Sequence, residues 1–124
     1  MSQEEVSNEN ITPQVCPIKY MLSIIGGKWK QPIICILASE PSLRNSTIKR
    51  RLPGITNMML SQSLKELERE GIIHRKQFNE VPPHVEYSLT EKGKTLLPIL
   101  HEMQKWALQH MEPTNRCESC VSTE

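Results

Sequence analysis

Residues 55–89 read ITNMMLSQSLKELEREGIIHRKQFNEVPPHVEYSL. Thr56 offers the side-chain oxygen of a helix N-cap, and Leu60, Leu64 and Leu67 behind it recur at i, i+4 and i+7, the spacing of one buried helical face. Gly71 then ends the helix at a C′ position, where a left-handed backbone costs little only for glycine. Two strand-like stretches follow, Ile72–Phe78 and His84–Leu89, joined by Asn79–Pro83 with two prolines at the tip. A capped helix followed at once by a hairpin predicts a mainly α chain with a small β element.

Upstream, Pro53-Gly54 makes a tight turn, and Ser46 can cap a short helix from Thr47 to Leu52 before it. Leu43-Arg44 reads as a one-rung strand edge. Further back, Pro17 suits the first position of a helix with Cys16 as N-cap and Ile18, Met21, Leu22, Ile24 and Ile25 as its apolar stripe. Gly26-Gly27 breaks it. A second helix runs from near Lys28 to about Ser39 with Trp29, Ile33, Ile34, Ile36 and Leu37 inward, Pro32 in its first turn and Cys35 within the core run. Downstream, Thr90 caps a long helix, Glu91 to Met111, with Leu96, Leu97, Leu100, Met103, Trp106, Ala107 and Met111 as its apolar positions. Pro98 predicts a kink or local break in it. Two helices joined by a glycine-containing turn, then a hairpin, make an α+β chain: a winged helix-turn-helix with a small β-hairpin wing. The expected layout is an N-terminal arm over 1–14, one domain over 15–111 and a tail over 112–124.

The chain of 124 residues is the length of one domain. Its longest apolar run, Ile33–Ala38, is far short of the roughly 20 residues that span a bilayer, and the N-terminus is acidic and polar, unlike a signal peptide. A cytoplasmic protein with no membrane partner is therefore expected. The net charge of +1 hides a division along the chain. Glu4, Glu5 and Glu9 lie in the arm, and Glu112, Glu118 and Glu124 oppose only Arg116 in the tail. Residues 16–111 keep fourteen basic against eight acidic side chains, a surplus of six that suits a polyanion.

The placement of these charges sharpens the reading. The face of the 55–70 helix opposite its leucines carries Asn57, Met58, Ser61, Gln62 and Lys65. Asparagine and glutamine pair bidentately with adenine, serine with either base edge, and lysine with guanine or phosphate. Asn57, Ser61, Gln62 and Lys65 are thus candidates for base-edge contact with double-stranded DNA. Lys49, Arg50 and Arg51 before the turn, Thr56 at the cap, and Arg75, Lys76 and His84 on a wing stiffened by Pro82-Pro83 are candidates for the DNA backbone. The acids of this segment, Glu66, Glu68 and Glu70, gather at the helix's C-terminal end, away from the end that enters the groove in helix-turn-helix proteins. The plain alternative is an amphipathic surface helix beside an ordinary hairpin, as in a protein-interaction module that never touches DNA.

The strings Cys16-Pro17, Gly26-Gly27-Lys28-Trp29, Arg51-Leu52-Pro53-Gly54-Ile55, Met59-Leu60, Leu64-Lys65-Glu66-Leu67-Glu68, Gly71-Ile72-Ile73, Val81-Pro82-Pro83-His84-Val85-Glu86-Tyr87-Ser88-Leu89-Thr90-Glu91-Lys92-Gly93 and Trp106 resemble the HxlR family of bacterial transcription regulators, a branch of the MarR-like winged-helix repressors. The resemblance covers about residues 15–108. It implies a homodimer built from the N- and C-terminal helices, each subunit placing a recognition helix in the major groove with its wing alongside. Two such subunits would read a palindrome with half-sites about one helical turn apart. The chain departs from the family pattern at Met58, where a basic residue is common, and at Asn45 and Thr47, which replace an aromatic and an acidic residue.

Family members include sensors of oxidants and electrophiles with a cysteine placed like Cys16, which implies such an effector here. Independently, a thiol at a helix N-terminus with Lys19 one turn on should have a lowered pKa. Cys117-Glu118-Ser119-Cys120 leaves several readings open: a local disulfide, half a zinc site in a metal-responsive regulator, a partner that resolves oxidised Cys16, or an idle tail. His101 and His110 are expected at the surface or an interface, and no histidine spacing suggests a metal triad. No glycine-rich phosphate loop, nucleophile elbow or carboxylate pair points to an enzyme, a cofactor or a resident metal. The expected function is transcription regulation by a sequence-specific, redox- or electrophile-responsive repressor.

Overall fold

The computed structural model describes residues 16–112. The expected arm and all but the first residue of the expected tail, with Cys117 and Cys120, lie outside the described residues. In chain order the elements are α1 (Pro17–Ile25), α2 (Lys30–Ala38), β1 (Leu43–Arg44), α3 (Asn45–Arg50), α4 (Asn57–Arg69), β2 (Ile73–Phe78), β3 (His84–Leu89), α5 (Glu91–Lys94) and α6 (Leu96–His110). This is the expected winged-helix pattern.

The core lies where the helices meet the sheet. Ile33, Ile34 and Leu37 of α2, Ile48 of α3 and Leu60, Leu64 and Leu67 of α4 bury together with Ile72, Ile73, Leu96 and Leu100. The sheet is antiparallel in the order β1-β3-β2, with Leu43 opposite Tyr87 and Ile73 opposite Leu89. Hence β1 is the third strand that backs the hairpin.

The end of α4 and the root of the wing are fastened as one unit. Gly71 takes a φ of +78°, its N–H donates to the Glu68 carbonyl (3.0 Å), and the Ile72 N–H reaches back to Leu67 (2.9 Å). That is a Schellman cap, and it turns the chain directly into β2. Thr90, at the far end of β3, donates from Oγ1 to the Gly71 carbonyl (2.6 Å) and accepts from the Gly93 N–H (2.9 Å). A Cβ at Gly93 would collide with the Ile72 carbonyl, so this crossing needs glycine.

Several local expectations are corrected. The short helix begins at Asn45 and ends at Arg50; Arg44 is its extended N-cap and Ser46 lies inside it. The pairing of Leu43-Arg44 with β3 sets where the helix starts, overriding the capping preference of Ser46. The second helix begins at Lys30, and Pro32 does fall in its first turn. The last helix is broken as anticipated, but at Thr95. Pro98 then sits in the first turn of α6, where its missing N–H had no helical partner to lose.

Three apolar assignments also shift. Cys35 is exposed, because α2 turns Ile33, Ile34 and Leu37 inward and position 35 faces away. On α6 Leu96 and Leu100 join the core and Leu97 packs against it, whereas Met103 and Trp106 are exposed. On α1, Ile24 and Ile25 are buried whereas Ile18 and Leu22 are exposed. Both helices thus carry apolar side chains that the described core leaves exposed. Among the described residues no helix is long and apolar enough to cross a membrane.

Candidate nucleic-acid interface

The site rests on α4, which is fixed from three sides. Its leucines anchor the inner face, and Thr56 caps its start by accepting from the Met59 N–H (3.0 Å). The turn from α3 passes through Gly54, whose φ of +93° few other residues tolerate and which lies against the Trp29 ring. On the outer face Met58, Ser61, Gln62, Lys65, Glu66 and Arg69 line one shallow depression. Asn57 stands exposed in the first turn. The structure thus brings Ser61, Gln62 and Lys65 together, and it adds Arg69, a basic residue not among the candidates read from the sequence.

A second set of residues was missed. Lys30, from the start of α2, places Nζ 2.7 Å from Glu66 Oε1 and 3.1 Å from the Ser23 carbonyl. Glu66 in turn accepts from Gln62 Nε2 at 3.3 Å. The Lys30 ammonium, and next the Gln62 amide, hold the Glu66 carboxyl below the usual carboxylate range. Gly26, Gly27 and Lys28 border the same corner. The signal available in the sequence was the string Gly26-Gly27-Lys28-Trp29, but nothing local says that it meets α4.

The basic cluster before the turn divides. Arg50 is exposed and Lys49 half-buried, while Arg51 turns back to Glu40 Oε2 and Ser39 Oγ, each at 3.3 Å. On the wing, Arg75 lies opposite Tyr87 and Lys76 opposite Glu86. Adjacent strand residues point to opposite faces, so these two cations flank the ribbon. Both are exposed, and the Lys76 ammonium lies 5.0 Å from the Phe78 ring centroid.

His84 has a different setting from the one expected. Its ring stacks on Phe78 at 4.7 Å and its Nε2 lies 3.1 Å from Glu86 Oε2. Glu86 also accepts from Ser42 Oγ (2.7 Å), which links the hairpin to the segment before β1. The Ser42 hydroxyl, then His84 and more weakly Arg44, lower the Glu86 pKa. His84 therefore braces the wing from within.

Cys16 is exposed as the N-cap residue of α1. Its thiol makes no cap bond of full geometry, yet the Lys19 N–H, then that of Ile18, and lastly the Lys19 ammonium lower its pKa. Cys35 accepts from Gln31 Nε2 at 2.9 Å. His101 and His110 are both exposed. Among the described residues no group of three or more His, Cys, Asp or Glu could hold a metal ion.

Two helices joined by a tight turn, followed by a fastened basic hairpin backed by a short strand, define a winged helix-turn-helix transcriptional regulator. Comparison with known proteins agrees. The model of the HxlR-like helix-turn-helix family matches residues 24–115, and the chain belongs to that family. The HTH-type transcriptional regulator BH0655 of Halalkalibacterium halodurans is 46% identical over 110 residues, 89% of this chain and 97% of that one. Among solved structures, the redox regulator HypR in its oxidized form superimposes with a TM-score of 0.71 at 42% identity, over 78% of this chain and 99% of its own. The reduced form of the transcriptional regulator YodB from B. subtilis gives 0.71 at 39% identity, over 81% and 98%. BH0655 and YodB, like the family, are regulators of transcription and not enzymes.

Proposed function

We propose that the chain is a repressor that binds a palindromic DNA operator as a homodimer and is released by an oxidant or electrophile acting on Cys16. The observation that carries the DNA reading is the outer face of α4, where Ser61, Gln62 and Lys65 stand together opposite three buried leucines. Asn57 begins that face, and all four are side chains able to contact base edges. Lys49, Arg50, Arg75 and Lys76 supply phosphate contacts, joined by Thr56, whose cap leaves the hydroxyl hydrogen unused. Arg51 contributes less because Glu40 shares its charge, and His84 acts by stiffening the wing. The homodimer accounts for exposed Ile18, Leu22, Met103 and Trp106 on α1 and α6. The likeness to the redox regulator HypR supports the role of Cys16.

Two variants test the division of labour. Gln62→Ala should relax sequence preference while binding to random DNA stays near wild type. Lys76→Ala should weaken binding to every sequence and flatten the salt slope by about one unit. Equal losses from both variants on operator and random duplexes would show that these residues are wrongly sorted. A protein-interaction module would bind neither duplex.

A further inference from the structure

We infer that Glu66, held by Lys30, is a positioning residue that fixes the Gln62 amide with its oxygen free, so that the base read by Gln62 is adenine. The inference rests on the proposal that α4 reads base edges and names what one of its side chains selects.

A glutamine amide turned through 180° exchanges a donor for an acceptor, and an unrestrained one presents either. Ionised Glu66 accepts hydrogen bonds only, so the amide end that faces it at 3.3 Å must be the NH₂ group. One Nε2 hydrogen is thereby used, while the second and Oε1 stay available. That remaining pair matches adenine, whose N6 amino group donates and whose N7 accepts. Guanine presents two acceptors, N7 and O6, and would leave Oε1 facing an oxygen.

The restraint depends on Glu66 itself being fixed. Lys30 holds it at 2.7 Å, a short contact between two partly buried side chains. Lys30 is anchored in turn on the Ser23 carbonyl of α1. Neither Glu66 nor Lys30 needs to touch DNA for this effect. Glu66 repels phosphate if anything, so loss of the carboxylate should raise affinity for all sequences while lowering discrimination.

The test is selection from half-site-randomised duplex with the full-length protein and its Gln62→Ala, Glu66→Ala and Lys30→Ala variants, each checked for an unchanged melting profile. Wild type should show one position per half-site where adenine is favoured over guanine by about tenfold, as a bidentate contact provides. Gln62→Ala should abolish that preference. Glu66→Ala and Lys30→Ala should cut it to less than about threefold while other positions of the site keep theirs. Retention of the full adenine preference by Glu66→Ala, or a Gln62-dependent position that favours guanine or thymine, would overturn the inference and leave the DNA reading intact. No Gln62-dependent position would also overturn the inference, whereas only the absence of any selected sequence would overturn the DNA reading with it.

Discussion

The two described cysteines sit on helices, and their places there give them different chemistry. Cys16 faces the first N–H groups of α1, which favour a thiolate, and it is exposed to reagents. Because its pKa is lowered, the reactive thiolate should persist as pH falls through the range where an ordinary thiol has already protonated. Its alkylation rate, followed by mass spectrometry, should therefore have a midpoint below that of a cysteine in an unstructured peptide; a midpoint at or above it would remove the basis of the sensor. Cys16→Ser should keep DNA affinity and lose oxidant-induced release, whereas persistent release would locate the sensor elsewhere. Cys16 was legible because Pro17 marks a helix start. Cys35 was not, since Ile33-Ile34-Cys35-Ile36-Leu37 is apolar throughout and gives no sign of which side faces the core. The setting of His84 was hidden for a related reason: its place near a basic tip says nothing of the Phe78 ring stacked on it.

Element by element, α4 and the wing are the parts whose form is written locally. The leucine spacing, the Thr56 cap and the Gly71 stop all act within a few residues, and the strands of the hairpin are linked by a short turn. Thr56→Ala removes the cap bond to Met59 and should lower stability by about 1 kcal/mol, measured by denaturant titration. A loss near zero would mean that the leucines alone set the helix start. The start of α3 was less legible, because the pairing of Leu43 opposite Tyr87 in a distant strand sets it. The break at Thr95 is local by contrast: Pro98 cannot donate to the Lys94 carbonyl one turn back. The corner formed by Lys30 and Glu66 was invisible for the same reason as the start of α3. Sequence spacing finds faces, but it does not tell which face of one helix meets the loop of another.

At the scale of the molecule, the described residues leave Ile18, Leu22, Ile99, Met103 and Trp106 exposed on α1 and α6, a set better suited to a partner than to water. If a second copy covers them, Trp106→Asp should give a folded monomer by sedimentation, with operator affinity reduced because each subunit then binds one half-site alone. A dimer that survives this charge would place the interface elsewhere. The fold was readable from one strand-turn-strand string and its preceding helix and the family from motifs spread along the chain, whereas a dimer is hinted at only by apolar residues that the described core leaves exposed. Footprinting of the purified protein on randomly selected operator DNA joins these levels in one measurement. Two protected half-sites about one helical turn apart are expected, with affinity falling steeply as salt rises. Absence of protection, or binding indifferent to both sequence and salt, would contradict the proposed function.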